Sequence, residues 1–175
     1  DLPAPHVFDS NWTLGQPDAV FANPEPYTPP EAGDTYRCFT IPTHLAGDKY
    51  VSAVDLHPGD RTTVHHVIAF IDSTGESAAL DDAEPGPGYT CFGSHQINPI
   101  YRAPPAGSTD IADFNTQMIL GWAPGGVPGY FPPNTGIRLK PGSMLVMQVH
   151  YNLATTGVRG MSDRTRVDLY SSPSG

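Results

Sequence analysis

A chain of 175 residues has room for one domain or two small ones, and folding at that length removes roughly two-thirds of the unfolded surface from water, so a core can form without staples. Twenty Pro and eighteen Gly beside 38% hydrophobic residues describe a globular, turn-rich β protein and exclude a disordered one. A net charge of −9 with only nine Lys and Arg leaves no basic stripe to follow phosphates, which argues against nucleic acid and anionic membranes as partners.

The first 35 residues, with Pro24, Pro26, Pro29 and Pro30 in close succession, read as an extended N-terminal arm, and residues 36–175 as the domain proper. Strand signals run from Tyr36 to Pro42 and from Tyr50 to His57, where apolar and polar residues alternate before the turn Pro58-Gly59-Asp60. The segment Thr62 to Ile71 is apolar on both faces apart from its histidines, which predicts a strand in the middle of a sandwich. From Asp72 to Ile119 the chain turns acidic and rich in Gly and Pro, then irregular, and reads as a long functional excursion. A short strand at Ile137 to Leu139, the turn Lys140-Pro141-Gly142, a strand from Met144 to Asn152 and a last one from Thr165 to Tyr170 follow. Short strands separated by turns predict an all-β fold, an antiparallel sandwich of jelly-roll type with long loops.

Cys38 and Cys91 sit in similar settings, Tyr36-Arg37-Cys38-Phe39 and Tyr89-Thr90-Cys91-Phe92. They suit one disulfide, with two free thiols as the alternative. A bridge implies an oxidising compartment, periplasmic or extracellular. No run approaches the roughly 18 apolar residues of a spanning helix, and no charged and hydrophobic leader opens the chain, which reads as a mature or excised soluble piece.

The histidines carry the chemistry. His65 and His66 stand side by side in Val64-His65-His66-Val67-Ile68-Ala69-Phe70-Ile71, and His150 closes the run from Met144 to Tyr151. An unpartnered ring among such residues costs a few kcal/mol. A bound metal compensates all three rings at once, and with neither thiolate nor carboxylate in the two runs the donors favour copper or zinc over calcium or magnesium. Core histidines bonded to backbone are the alternative. Neighbouring side chains on a regular strand point to opposite faces, so the doublet can share a ligand only at a strand edge, a bulge or a strand end.

Tyr36-Arg37-Cys38, Thr63-Val64-His65-His66-Val67, Gly121-Trp122-Ala123 and Leu145-Val146-Met147-Gln148-Val149-His150-Tyr151 occur in the order and approximate spacing of the N-terminal domain of the type II, ascorbate-dependent copper monooxygenases. The chain resembles that family, whose members include peptidylglycine α-hydroxylating monooxygenase and dopamine β-monooxygenase, from about Asp34 to Tyr170, and its wording is nearer to bacterial relatives. The resemblance implies a jelly-roll domain that binds an electron-transfer copper through His65, His66 and His150, with zinc able to substitute, and Gln148 near the metal as a supporting group. It implies ascorbate or another reductant as electron donor, and a second copper domain as partner. The family's oxygen-binding copper uses a His-x-His pair and a methionine in that other domain. No His-x-His occurs here, so Met118, Met144, Met147 and Met161 read as core or surface residues, and this chain alone is not expected to hydroxylate a substrate.

Two other functions stand beside this one: a stand-alone periplasmic or secreted copper-binding protein, and a non-catalytic jelly-roll interaction module. His6, His44, His57 and His95 have no ligand-spaced neighbour. Of these, His95 is the one that Cys91 could bring near the metal.

Overall fold

Alternation along one nine-residue strand divides the molecule into two sides. In Met144–Asn152, Leu145, Met147, Val149 and Tyr151 enter the main core, whereas Val146, Gln148 and His150 face the other way. The computed structural model describes residues 13–30, 33–98, 101–102, 113–153 and 161–172. In chain order its elements are β1 (Ala19–Ala22), β2 (Asp34–Pro42), β3 (Lys49–His57), β4 (Val64–Asp72), α1 (Glu76–Asp82), β5 (Tyr89–Thr90), β6 (Tyr101–Arg102), β7 (Asp113–Phe114), β8 (Thr116–Trp122), β9 (Gly129–Tyr130), β10 (Ile137–Leu139), β11 (Met144–Asn152) and β12 (Arg166–Ser172).

These strands make two antiparallel sheets, one ordered β1-β12-β3-β10 with β9 also on β3, the other β5-β2-β11-β4-β8, while β6 and β7 pair separately. Phe39, Ile41, Val67, Ala69, Ile71, Leu145 and Met147 of the second sheet meet Val54, Leu56, Leu139, Val167 and Leu169 of the first in one core. The fold is therefore an all-β sandwich. Each large aliphatic or aromatic side chain buried this way contributes about 1.5–3 kcal/mol.

A smaller apolar cluster lies on the outer face of β2 and β11, where Cys38 and Val146 pack with Tyr89, Cys91 and Ile97 from the excursion. Cys38 and Cys91 are disulfide-bonded, as the similar settings predicted. Arg37 adds a second tether: its guanidinium donates to the carbonyls of Pro87 (2.9 Å) and Gly88 (2.6 Å) and pairs with Glu84 (2.6 Å). At the start of the excursion the Asp72 carboxylate accepts from the backbone of Thr74 (2.8 Å) and Ser77 (2.9 Å) and from both hydroxyls, fixing the turn into α1. Burial works against its charge, but these hydrogen bonds outweigh burial and hold the carboxyl below the usual carboxylate range.

Three features differ from the expectation. The arm contributes an edge strand, because Ala19–Ala22 pairs with Leu169–Arg166 of β12; residues 1–12 and 31–32 lie outside the described residues. The excursion ends before Ile119, since Thr116–Trp122 is the edge strand β8, paired with β4 through a register shift between Ala69 and Phe70. The excursion also holds the seven-residue helix α1. Part of its irregular stretch, 99–100 and 103–112, lies outside the described residues.

Candidate metal centre

The site forms where β2, β11 and β4 run side by side at the end of the second sheet. In register, His150 lies opposite Tyr36 on one flank and opposite His66 on the other, which makes a cross-strand row Tyr36, His150, His66. Val67 and Val149 enter the main core, so alternation turns the members of this row to the outer face.

His65 joins them through a break in the ladder. His66 pairs with His150, yet Tyr151 pairs with Val64, so two residues of β4 oppose one step of β11 and His65 is the extra residue of a β-bulge. Pairing then resumes, with the Asn152 amide donating to the Thr63 carbonyl at 2.9 Å. This is one of the three placements that the doublet demanded. The turn before the bulge is held by Asp60, whose carboxylate accepts from the Thr62 amide (2.9 Å) and from the hydroxyls of Thr62 and Thr63.

The result is a triangle of imidazole nitrogens. Nδ1 of His65 lies 3.3 Å from Nδ1 of His66 and 3.1 Å from Nδ1 of His150, and the last two are 3.2 Å apart. Hydrogen bonds among neutral rings cannot satisfy all three sides. A hydrogen bond needs one N–H and one lone pair, and each Nδ1 carries one or the other, so at least one side joins two like groups. A cation at the centre satisfies all three lone pairs together. With sides of 3.1–3.3 Å the centre is about 1.9 Å from each corner, close to the roughly 2.0–2.1 Å of a zinc–imidazole bond. The residues present thus fit a metal with nitrogen preference, and these three histidines could hold one.

Burial grades across the triangle, His150 being 5% exposed, His66 half-buried and His65 open to solvent. Burial, and then the like-charge neighbours His150 and His65, push the His66 imidazole below its ordinary range, which keeps a lone pair available at neutral pH. His150 is the most constrained ring. Its Nε2 lies 3.1 Å from the Asp34 carboxylate, and the Tyr36 ring stacks on it at 4.1 Å between centroids with 4° between planes. Phe92, 77% exposed, stands edge-on to Tyr36 at 4.9 Å.

Gln148, on the same face of β11 as His150, is 2% exposed and donates its amide to the Cys91 carbonyl at 3.2 Å. Through these contacts with the disulfide loop it anchors the excursion beside the site. Asp34 is the residue that sequence reasoning missed. Its only cue is register: it lies one step beyond Tyr36 on the same face of β2, opposite Asn152.

The remaining described histidines have separate roles. His95 is buried against Phe70 (4.4 Å between ring centroids), and its Nδ1 accepts from the Ile97 amide at 3.1 Å. His57 Nε2 lies 2.9 Å from the Asp168 carboxylate and 3.2 Å from that of Asp55, on the outer face of the other sheet and without a well-aligned hydrogen bond. His44 is exposed with φ of 50°, and His6 lies outside the described residues. Met147 is fully buried in the core, while Met118 and Met161 are exposed.

Fold and site together define an all-β sandwich with a disulfide and a three-histidine cluster able to bind a metal ion. Neither a protein-family model nor a curated protein matches the chain. The disulfide suits an oxidising, non-cytosolic environment, and among the described residues no helix is long and apolar enough to cross a membrane.

Proposed function

We propose that this chain is the electron-transfer domain of a two-domain, ascorbate-dependent copper monooxygenase, working in the periplasm or outside the cell beside a separate domain that carries the catalytic copper. The observation that supports this most is the Nδ1 triangle, built from the three positions that match the family's electron-transfer copper ligands. Bound copper supplies a one-electron couple between Cu(I) and Cu(II). The chain's own residues hold that ion through neutral nitrogens alone. A set of three neutral donors without thiolate or carboxylate suits copper and zinc, and leaves the coordination open enough to tolerate either charge state. Asp34 and Tyr36 restrain the His150 ring, and the bulge presents His65 toward solvent, on the side from which a reductant or the second domain approaches.

Metal analysis of copper-loaded protein tests the reading, with expected stoichiometry of one copper per chain and strong loss of affinity in His150→Ala. Unchanged copper affinity in that variant overturns the site. Ascorbate is expected to bleach the Cu(II) signal in stopped-flow without any hydroxylated product. Product formed by this chain alone would refute the electron-transfer role and assign catalysis to the three histidines themselves. A full gene product lacking a His-x-His domain would favour a stand-alone copper protein.

A further inference from the structure

Among the described residues, His150 is the one ring of the triangle in contact with a carboxylate. The Asp34 carboxylate lies 3.1 Å from Nε2 of His150, the nitrogen on the side of the ring away from the cluster. A carboxylate at that distance accepts a hydrogen bond from Nε2–H, and a neutral imidazole protonated at Nε2 has its lone pair at Nδ1. Nδ1 is the atom that faces His65 and His66. The acceptor therefore selects the tautomer that the triangle needs, before any ion arrives.

The arrangement is not a by-product of burial. The Asp34 side chain is 55% exposed and has water as an alternative partner, yet it turns to the ring. Asp34 opens β2 opposite Asn152, one step along the ladder from the Tyr36–His150 pair. Stacked Tyr36 fixes the plane of the ring and Asp34 fixes its rotation within that plane.

A carboxylate bonded to the far nitrogen also makes the ring a stronger donor and places a full negative charge one imidazole away from the ion. Both effects favour a doubly charged ion over a singly charged one, since the Coulomb attraction scales with charge. Resting on the metal centre proposed above, we infer that Asp34 is a positioning residue that preselects the Nδ1 donor of His150 and biases the site toward Cu(II). In the couple Cu(II) + e⁻ → Cu(I), with the electron supplied by a mediator at an electrode, its removal raises the potential.

Two variants separate orientation from charge. Asp34→Asn keeps an acceptor oxygen and loses the charge; Asp34→Ala loses both. In metal-free protein at a pH where imidazole is neutral, 15N NMR of His150 is expected to show Nε2 protonated in the parent and in Asp34→Asn, and a mixture of tautomers in Asp34→Ala. Cu(II) affinity is expected to fall about 10- to 100-fold in Asp34→Ala. In Asp34→Asn it should fall about tenfold more for Cu(II) than for Cu(I), which is a rise of about 59 mV in potential. An unchanged or lowered potential in Asp34→Asn, or a parent-like tautomer in Asp34→Ala, overturns the inference. If Asp34→Ala does not fold, Asp34→Asn decides alone through its potential. His150→Ala is measured in parallel with zinc and copper: retained affinity there defeats the metal centre itself, whereas loss there with no effect at Asp34 defeats only the role of Asp34.

Discussion

Replacing Cys38 and Cys91 together by Ala tests how the excursion is tied to the sandwich. The two residues are 53 apart in sequence. In the chain-entropy account, opening a loop of that length gives back to the unfolded chain a freedom equivalent to about 4 kcal/mol at 25 °C. For a chain of this size each kcal/mol moves the melting temperature by roughly 2–4 °C, so the midpoint should drop by about 8–16 °C. The native structure is expected to survive, because Arg37 still clamps Pro87, Gly88 and Glu84, and Gln148 still bonds the Cys91 carbonyl. Differential scanning calorimetry of the double variant measures the drop without adding a thiol reductant, which would itself react with copper. Copper affinity should change less than tenfold, since neither sulfur is in the triangle. A melting temperature within about 2 °C of the parent would refute the unfolded-state argument. A collapse of copper affinity would show that scaffold and site are not separable.

Acidification should release the metal. The His66 pKa is depressed in the folded protein, so the stability it contributes is full above its unfolded value of about 6.5 and is lost as pH falls through the folded value. Protons compete with the metal for the same lone pairs in that window, so chelator competition should show affinity falling below about pH 6.5, and a flat profile there refutes the assignment. Gly88→Ala should destabilise by about 2–4 kcal/mol, since Gly88 has φ of 72° and a Cβ there would run into the Cys38 carbonyl; a parent-like urea midpoint would contradict this. Asp163→Ala should cost about 3 kcal/mol or more in the same assay, because that fully buried carboxylate accepts from Tyr151 Oη (2.8 Å), the Asp60 amide (2.9 Å) and Thr165 Oγ1. A loss under about 1 kcal/mol would mean that those donors find other partners.

The parts of the architecture that could be read in the sequence are those where local pattern and tertiary demand agree. Met144–Asn152 matches its expected bounds because its alternation is regular and both its neighbours are core strands. The histidine doublet could be read as a geometric problem with few solutions, and the bulge is one of them. β8 was hidden for the same physical reason in reverse. Its own register shift makes Ile119 the extra residue and spaces the buried positions Thr116, Ile119 and Trp122 three apart, so no period of two survives in the sequence. β1 has only four residues among prolines, and its pairing with β12 supplies what its composition does not. Asp34 was invisible because its role depends on strand register and a side-chain rotation, neither of which a single sequence encodes locally.

The bulge also bears on how such a site can arise and be dismantled. Because Val64 already faces inward and His66 outward, removing residue 65 altogether would leave an unbroken ladder with β11 from Asp72 through Val64, with every other side chain of the strand on its present face. The third donor is thus separable from the rest of the protein by a single in-frame codon. A lineage could gain or lose it by one small insertion or deletion, without passing through any sequence whose sandwich is mispaired. Among relatives, presence or absence of this histidine should therefore track chain length at this point rather than the identity of an aligned residue, and an alignment that forces the two histidines into one column would conceal the change.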